Sequence, residues 1–217
     1  MEWLKMWDEK ANTENYFTQT GRGKSFGLYE FLLYIQDVQN ALQLCKDDSL
    51  LDIGGGPGWV AMHLSPFTGF IVSFDYSIEL VIKAKKQITE FKNIIVFHDD
   101  ILKMEHVKPV HNKVLVGSVL QYLTNMDEVK TALQNIYNVM KPGGIALFTH
   151  NPDLRKRPFH LAAVPPESME METQRLWLDP DEVYDVAIGI GFRTCRILPI
   201  NSLIWQSGHM FDMVLTK

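Results

Sequence analysis

Cysteine is scarce in this 217-residue chain. Cys45 and Cys195 are the two present, far apart and without a Cys-x-x-Cys pair. That excludes a disulfide framework and a thiolate zinc site, and leaves two reduced thiols of a cytosolic protein as the expectation. Basic residues are also few: 21 Lys and Arg against 26 Asp and Glu give a net charge of −5. A nucleic-acid partner needs a surplus of cations for phosphate contacts, so that class is disfavoured. No apolar run approaches the ~18 residues that span a bilayer, and the start, Met1-Glu2-Trp3-Leu4-Lys5, has no apolar leader core. There is no His-Glu-x-x-His, so no metal site is expected. What the chain does have is 46% hydrophobic residues, enough for a full core.

Those apolar residues are arranged in short runs: Ser49–Ile53, Gly69–Phe74, Asn93–His98, Lys113–Gly117, Gly144–Thr149, Arg193–Pro199 and Met210–Leu215. Helical patterns separate the first five, at Trp59–Leu64, Ile78–Phe91, a short piece around Val107, and Met126–Met140. Strands alternating with helices predict βαβ units and an open, mostly parallel α/β sheet of seven strands. The last two runs are linked without a helix and predict a terminal antiparallel pair. Ahead of them, Leu28, Phe31, Leu32, Ile35, Val38 and Leu42 recur at helical spacing. Residues 1–25 read as an arm or lid, polar and turn-rich from Glu9 to Lys24, and 26–217 as one domain.

The informative stretch is Leu50-Leu51-Asp52-Ile53-Gly54-Gly55-Gly56-Pro57-Gly58-Trp59. An apolar strand runs into four glycines in five residues and then into a helix. Glycine permits a sharp turn and the close approach of a ligand, and in an open parallel sheet the crevice beyond the strand C-termini is the ligand site. A dinucleotide fingerprint starting at Gly54 and Gly56 would need a small residue where Trp59 stands. A phosphate-cradling loop ending at Gly23-Lys24-Ser25 would need glycine at Thr18 and a preceding strand. What remains is Asp52-x-Gly54-x-Gly56-x-Gly58, with no Lys or Arg between Leu50 and Leu64. A carboxylate without basic neighbours suits a ligand carrying a sulfonium and an ammonium better than a pyrophosphate.

This pattern, with Gly55 inside it, resembles motif I of the class I (Rossmann-like) S-adenosylmethionine-dependent methyltransferases, and the rest of the chain keeps that family's order. Asp75-Tyr76 ends the second strand, where the resemblance implies an acidic contact to ribose. His98-Asp99-Asp100-Ile101 ends the third; the family's adenine-contacting Asp falls on Asp100, followed by Ile101, with Asp99 as the competing register. Gly117-Ser118 resembles the motif whose backbone lies beside the methionine portion, and Met140-Lys141-Pro142-Gly143-Gly144 is similar to the family's Pro-Gly-Gly turn. Arg22 is a candidate for the cofactor's carboxylate. The family's [DN]-P-P-[FYW] motif of base methylation is absent.

The resemblance implies methyl transfer from S-adenosylmethionine, without metal, to a small polar acceptor through oxygen or nitrogen. A cofactor-binding partner subunit without catalysis, or a methyltransferase acting on a macromolecule, is the alternative. A base is needed only for an acceptor of high pKa. His150, at the end of the fifth strand, is the first candidate and His209, opening the last, the second; His160 lies in the variable stretch between them. Arg155-Lys156-Arg157 is either a solvated run or a grip for an anionic, sugar-like acceptor.

Overall fold

The computed structural model describes residues 3–14, 16–20 and 26–217. Arg22 and the Gly23-Lys24-Ser25 tripeptide lie outside the described residues. Two helices, α1 (Trp3–Ala11) and α2 (Tyr16–Gln19), precede α3 (Leu28–Leu42). The chain then alternates: β1 (Ser49–Ile53), α4 (Trp59–Leu64), β2 (Phe70–Asp75), α5 (Ile78–Gln87), β3 (Ile94–His98), β4 (His111–Gly117), α6 (Met126–Val139) and β5 (Met140–Pro152). It ends in α7 (Arg157–Ala163), α8 (Pro166–Gln174), α9 (Pro180–Ile190), β6 (Thr194–Leu198) and β7 (Met210–Thr216).

The seven strands form one sheet in the order β3-β2-β1-β4-β5-β7-β6. Every pairing up to β5 is parallel, and β7 runs antiparallel to both β5 and β6. This is the class I methyltransferase fold. Both faces are covered, which is why the central strands read as unbroken apolar runs. Val114 and Val116 of β4 point into the core under α6 and α9, whereas Leu115 joins the one under α3, α4 and α5. The strand order reverses between β1 and β4, and the crevice at that switch point is where the site is built.

Local chemistry sets the helix ends. Ser77 caps α5 by accepting from the Leu80 N–H at 3.2 Å, and Asn125 caps α6 by accepting from Glu128 N–H at 3.0 Å. In α3 the buried face is Phe31, Tyr34, Ile35, Val38 and Leu42, while Leu28 and Leu32 are exposed, so its apolar stripe is wider than the face it buries.

The expected short helix around Val107 is absent; residues 101–110 are turns. Asp99 draws the backbone N–H groups of Asp100, Glu105 and His106 onto its carboxylate, at 2.8, 3.3 and 3.0 Å, and Pro109 disfavours helix at the residue before it. Conversely, the proline-rich stretch after β5 is helical. Pro158 and Pro166 occupy first-turn positions, where a missing N–H costs nothing.

Candidate active site

The turn from β1 into α4 is a run of left-handed backbone. Gly54, Gly56 and Gly58 have φ of 72°, 56° and 84°, angles that side-chain-bearing residues adopt at a cost of roughly 1–2 kcal/mol. Gly54 and Gly55 donate their N–H groups to the Phe74 carbonyl at 2.9 and 3.1 Å, which ties the loop to β2. Beneath it, buried Asp52 accepts from Ser73 Oγ at 2.9 Å. A Cβ on Gly58 would stand 3.3 Å from that of Ala84, so this glycine also lets α4 pack closely on α5.

Asp75, at the end of β2, holds the loop from the other side. Its carboxylate accepts from the Gly56 and Ser77 N–H groups, each at 2.9 Å. Burial raises its pKa, and those backbone N–H groups act in the opposite direction. The ends of β3 and β4 complete the rim. Asp100 accepts from the Leu102 N–H at 2.9 Å, while the Asp99 carboxylate is taken up by its own loop. At the β4 end Ser118 has φ 60°, unusual for a residue with a side chain, and donates its N–H to the Thr149 carbonyl at 3.1 Å.

These four strand ends surround one cavity of about 490 Å³. Of the residues expected at a cofactor site, Asp52, Gly54, Gly55, Gly56, Asp75, Tyr76, Asp99, Asp100, Ile101, Gly117 and Ser118 all line it. Gly58 stands behind, at the start of α4.

Part of the segment read as an arm or lid is a helix, which the sequence reading did not give it. α1 lies over the cavity, with Trp3, Leu4 and Trp7 in its wall. Trp3 and Trp7 meet Tyr122 edge-on, at centroid distances of 4.9 and 5.4 Å; such pairs contribute ~0.5–1.5 kcal/mol beyond the area they bury. Asp8 accepts from Ser77 Oγ at 2.6 Å, and Lys83 donates to the Ala11 and Thr13 carbonyls at 2.9 and 3.2 Å. The signal for this helix was present in the sequence: Trp3 and Trp7, four apart, share one helical face.

The three histidines are arranged differently from one another. His150 sits at an irregularity where the β5–β7 register shifts between Phe148 and Asn151. Its φ is 55°, and its N–H donates to Asp212 Oδ1 at 2.7 Å. Its ring lies 5.1 Å from that of Tyr34, whose hydroxyl hydrogen-bonds Thr149 Oγ1 at 3.1 Å. Tyr34 lines the cavity; His150 stands behind it. His209 and His160 stack with ring centroids 3.9 Å apart. His160 Nε2 is 3.2 Å from Glu172 Oε2, and Arg175 meets the other Glu172 oxygen at 3.1 Å. Arg155, by contrast, faces outward and forks onto Asp153 with two bonds of 2.9 Å.

Burial, then the charges of His160 and Arg175, lower the His209 pKa to about 3. Burial and Lys141 lower that of His111 to about 4, although its bond to Ser49 opposes this. Both imidazoles are therefore neutral in the folded protein and titrate near 6.5 when unfolded. The unfolded chain binds protons first, so stability is complete above pH ~6.5 and declines as pH falls toward 4. The expected loss between pH 7 and pH 5 is on the order of 1–2 kcal/mol per imidazole. Urea midpoints at the two pH values check this; equal midpoints would refute it.

Residues 50–144 match a family described as a methyltransferase domain. That match takes in a little under half of the chain. Over 116 residues it is 29% identical to the ubiquinone/menaquinone biosynthesis C-methyltransferase of Wigglesworthia glossinidia brevipalpis, a match covering 49% of this chain and 45% of that protein. The chain spans about half the length, or less, of the curated relatives it matches. Among solved structures, the N-methyltransferase NodS of Bradyrhizobium japonicum, in complex with S-adenosylhomocysteine, superposes with a TM-score of 0.70. The identity is 15%, with 98% of this chain and 95% of that one covered. Phosphoethanolamine N-methyltransferase 2 of Haemonchus contortus, in complex with S-adenosylmethionine, gives 0.71 at 15% identity, covering 100% and 60%. The matched residues begin inside β1 and end within β5, so they contain every strand end that builds the cavity. Among the described residues no group of three His, Cys, Asp or Glu is placed to hold a metal ion, and no helix is long and apolar enough to cross a membrane.

Proposed function

We propose that this methyltransferase binds S-adenosylmethionine in the glycine-loop cavity and directs its methyl group to a small polar acceptor, on oxygen or nitrogen and without metal. One observation carries the reading: the ends of β1, β2, β3 and β4 meet at a single cavity that α1 covers. The residues fit the ligand. A Cβ built on Gly56 has no heavy atom within 4 Å, so that glycine leaves open space where a ligand would lie against backbone. The loop has no Lys or Arg. In this reading Asp75 would accept from ribose hydroxyls, and Asp100, since Asp99 is engaged by its own loop, would contact adenine beside Ile101. The Gly117–Ser118 backbone would flank the methionine portion.

When bound, S-adenosylmethionine supplies a sulfonium methyl open to in-line displacement. The protein's share is then to hold donor and acceptor at near-attack distance and to exclude water. α1 acts as the lid for that purpose, with Trp3 and Trp7 closing on Tyr122. An acceptor that must lose a proton would release it toward Tyr34 at the cavity wall, behind which His150 stands. His209, with its low proton affinity, is better suited to positioning than to taking a proton.

S-adenosylhomocysteine should raise the unfolding free energy by ~2.7 kcal/mol at a hundredfold excess over its dissociation constant. NAD at the same concentration should not. A shift with NAD and none with S-adenosylhomocysteine would overturn the reading. Transfer of label from methyl-labelled cofactor to a panel of small acceptors separates catalysis from cofactor binding alone.

A further inference from the structure

Beside the cavity lies a buried cluster with more positive than negative charge. Arg175 contacts Glu172 through one end of its guanidinium at 3.1 Å, and its side chain is only 10% exposed. Its Nε is buried with no hydrogen-bond partner among the described residues, and so is the Nε of Arg157. Arg157 stands one turn before His160 on α7, and His160 contacts the same Glu172. From the lid, Lys10 lies over the Trp7 ring with its ammonium 4.6 Å from the centroid. Burial and the nearby charge of Arg175 lower its pKa to about 8, with Glu172 acting the other way. Glu172 is thus shared by Lys10 and Arg175, and the His209 ring stacked on His160 is neutral.

The cluster adjoins the Ser118–Tyr122 side of the cavity. Leu176 donates its N–H to the Gln121 carbonyl at 3.0 Å, and the Gln121 side chain donates to the Ser118 carbonyl at 3.0 Å. Ser118, Tyr122 and Trp7 are cavity wall. A desolvated N–H without an acceptor costs about 1–3 kcal/mol, and buried cations in excess of their carboxylate are costly unless paired. A bound oxyanion removes both penalties.

We propose that Arg175 and Lys10, with Arg157 beside them, receive an anionic group of the acceptor, a phosphate or carboxylate, next to the wall formed by Trp7 and Tyr122. This rests on the methyl-transfer reading for the identity of the ligand as acceptor, but the anion site can be tested separately. Arg155, already forked onto Asp153, plays no part in it.

The test is thermal unfolding of the full chain with S-adenosylhomocysteine present, titrated with inorganic phosphate, acetate or chloride at matched ionic strength. A saturable rise with phosphate or acetate beyond chloride is expected, and the stronger of the two identifies the group. Lys10→Met and Arg175→Gln should each raise the dissociation constant of that anion at least tenfold, and Arg155→Gln should leave it unchanged. Lys10 is on a half-exposed helix, so its variant remains informative if Arg175→Gln fails to fold. No rise beyond chloride, or an undiminished rise in Lys10→Met, would overturn the proposal. Omitting S-adenosylhomocysteine keeps the two readings apart: loss of its own shift refutes the cofactor site, while the anion titration still reports on this one.

Discussion

Gly56→Val is expected to abolish the thermal shift produced by S-adenosylhomocysteine while the protein remains folded. Two effects add. Gly56 has φ 56°, where an L-residue pays roughly 1–2 kcal/mol and a β-branched one more. The new side chain would meet no protein atom within 4 Å of its Cβ, so it would project into the open space that the cavity offers a ligand. The fold therefore loses a modest amount and the ligand loses its place. Gly55→Ala should behave in the opposite way. Its Cβ would overlap Ser73 Oγ and stand 2.7 Å from Asp52 Oδ2, in a buried pair with no room to yield. That variant should be recovered poorly or melt early. A Gly56→Val protein that binds S-adenosylhomocysteine with unchanged affinity would show that the ligand lies elsewhere.

The contrast between neighbouring glycines also marks what could be read from sequence. The β1 boundaries and α4 were legible to the residue, because Leu50-Leu51-Asp52-Ile53 is buried on both faces and the glycines end it abruptly. That the four glycines form a sharp strand-to-helix turn was legible as well. That Gly55 answers to Ser73 and Gly56 to empty space was not, since it depends on a strand twenty residues away. The same limit applies to Asp99 and Asp100. Spacing leaves the register open, and that three N–H groups turn onto Asp99 is visible only in the folded loop.

That the segments around the site are helical was hidden for a different reason. Pro158 and Pro166, which would break the interior of a helix, stand in the first turns of α7 and α8. In α1 the polar residues Asp8, Glu9 and Lys10 obscured a face whose tryptophans pack on Tyr122. Arg155-Lys156-Arg157 read as a unit in sequence. The structure divides it, since Arg155 is spent on Asp153 while the Arg157 Nε is buried. Local patterns report well on strands that need only be apolar. They report poorly on segments whose stability comes from contacts made across the molecule.

Asp75→Ala should weaken S-adenosylhomocysteine by ~1.5–3 kcal/mol, the cost of lost hydrogen bonds to a charged acceptor, or about ten- to a hundredfold in dissociation constant. Its carboxylate has two duties. It fixes the loop through the Gly56 and Ser77 N–H groups, and it faces the cavity, where it can also accept from ribose hydroxyls. Asp75→Asn separates them. The amide oxygen can still accept one backbone N–H, but the charge that strengthens both kinds of bond is gone. Asparagine should therefore keep most of the thermal stability and lose most of the affinity, whereas alanine loses both. Because burial already raises the Asp75 pKa, the carboxylate of the ligand-free protein protonates at a higher pH than an ordinary one. Ribose hydroxyls donating to the ionised form would favour deprotonation. Binding should then release protons as pH falls toward the raised pKa, and affinity should weaken in that direction for wild type but not for Asp75→Asn. Calorimetric titration of both proteins over a pH series reads this directly. An affinity that declines equally in the two would place the titrating group elsewhere and remove Asp75 from the ligand contact.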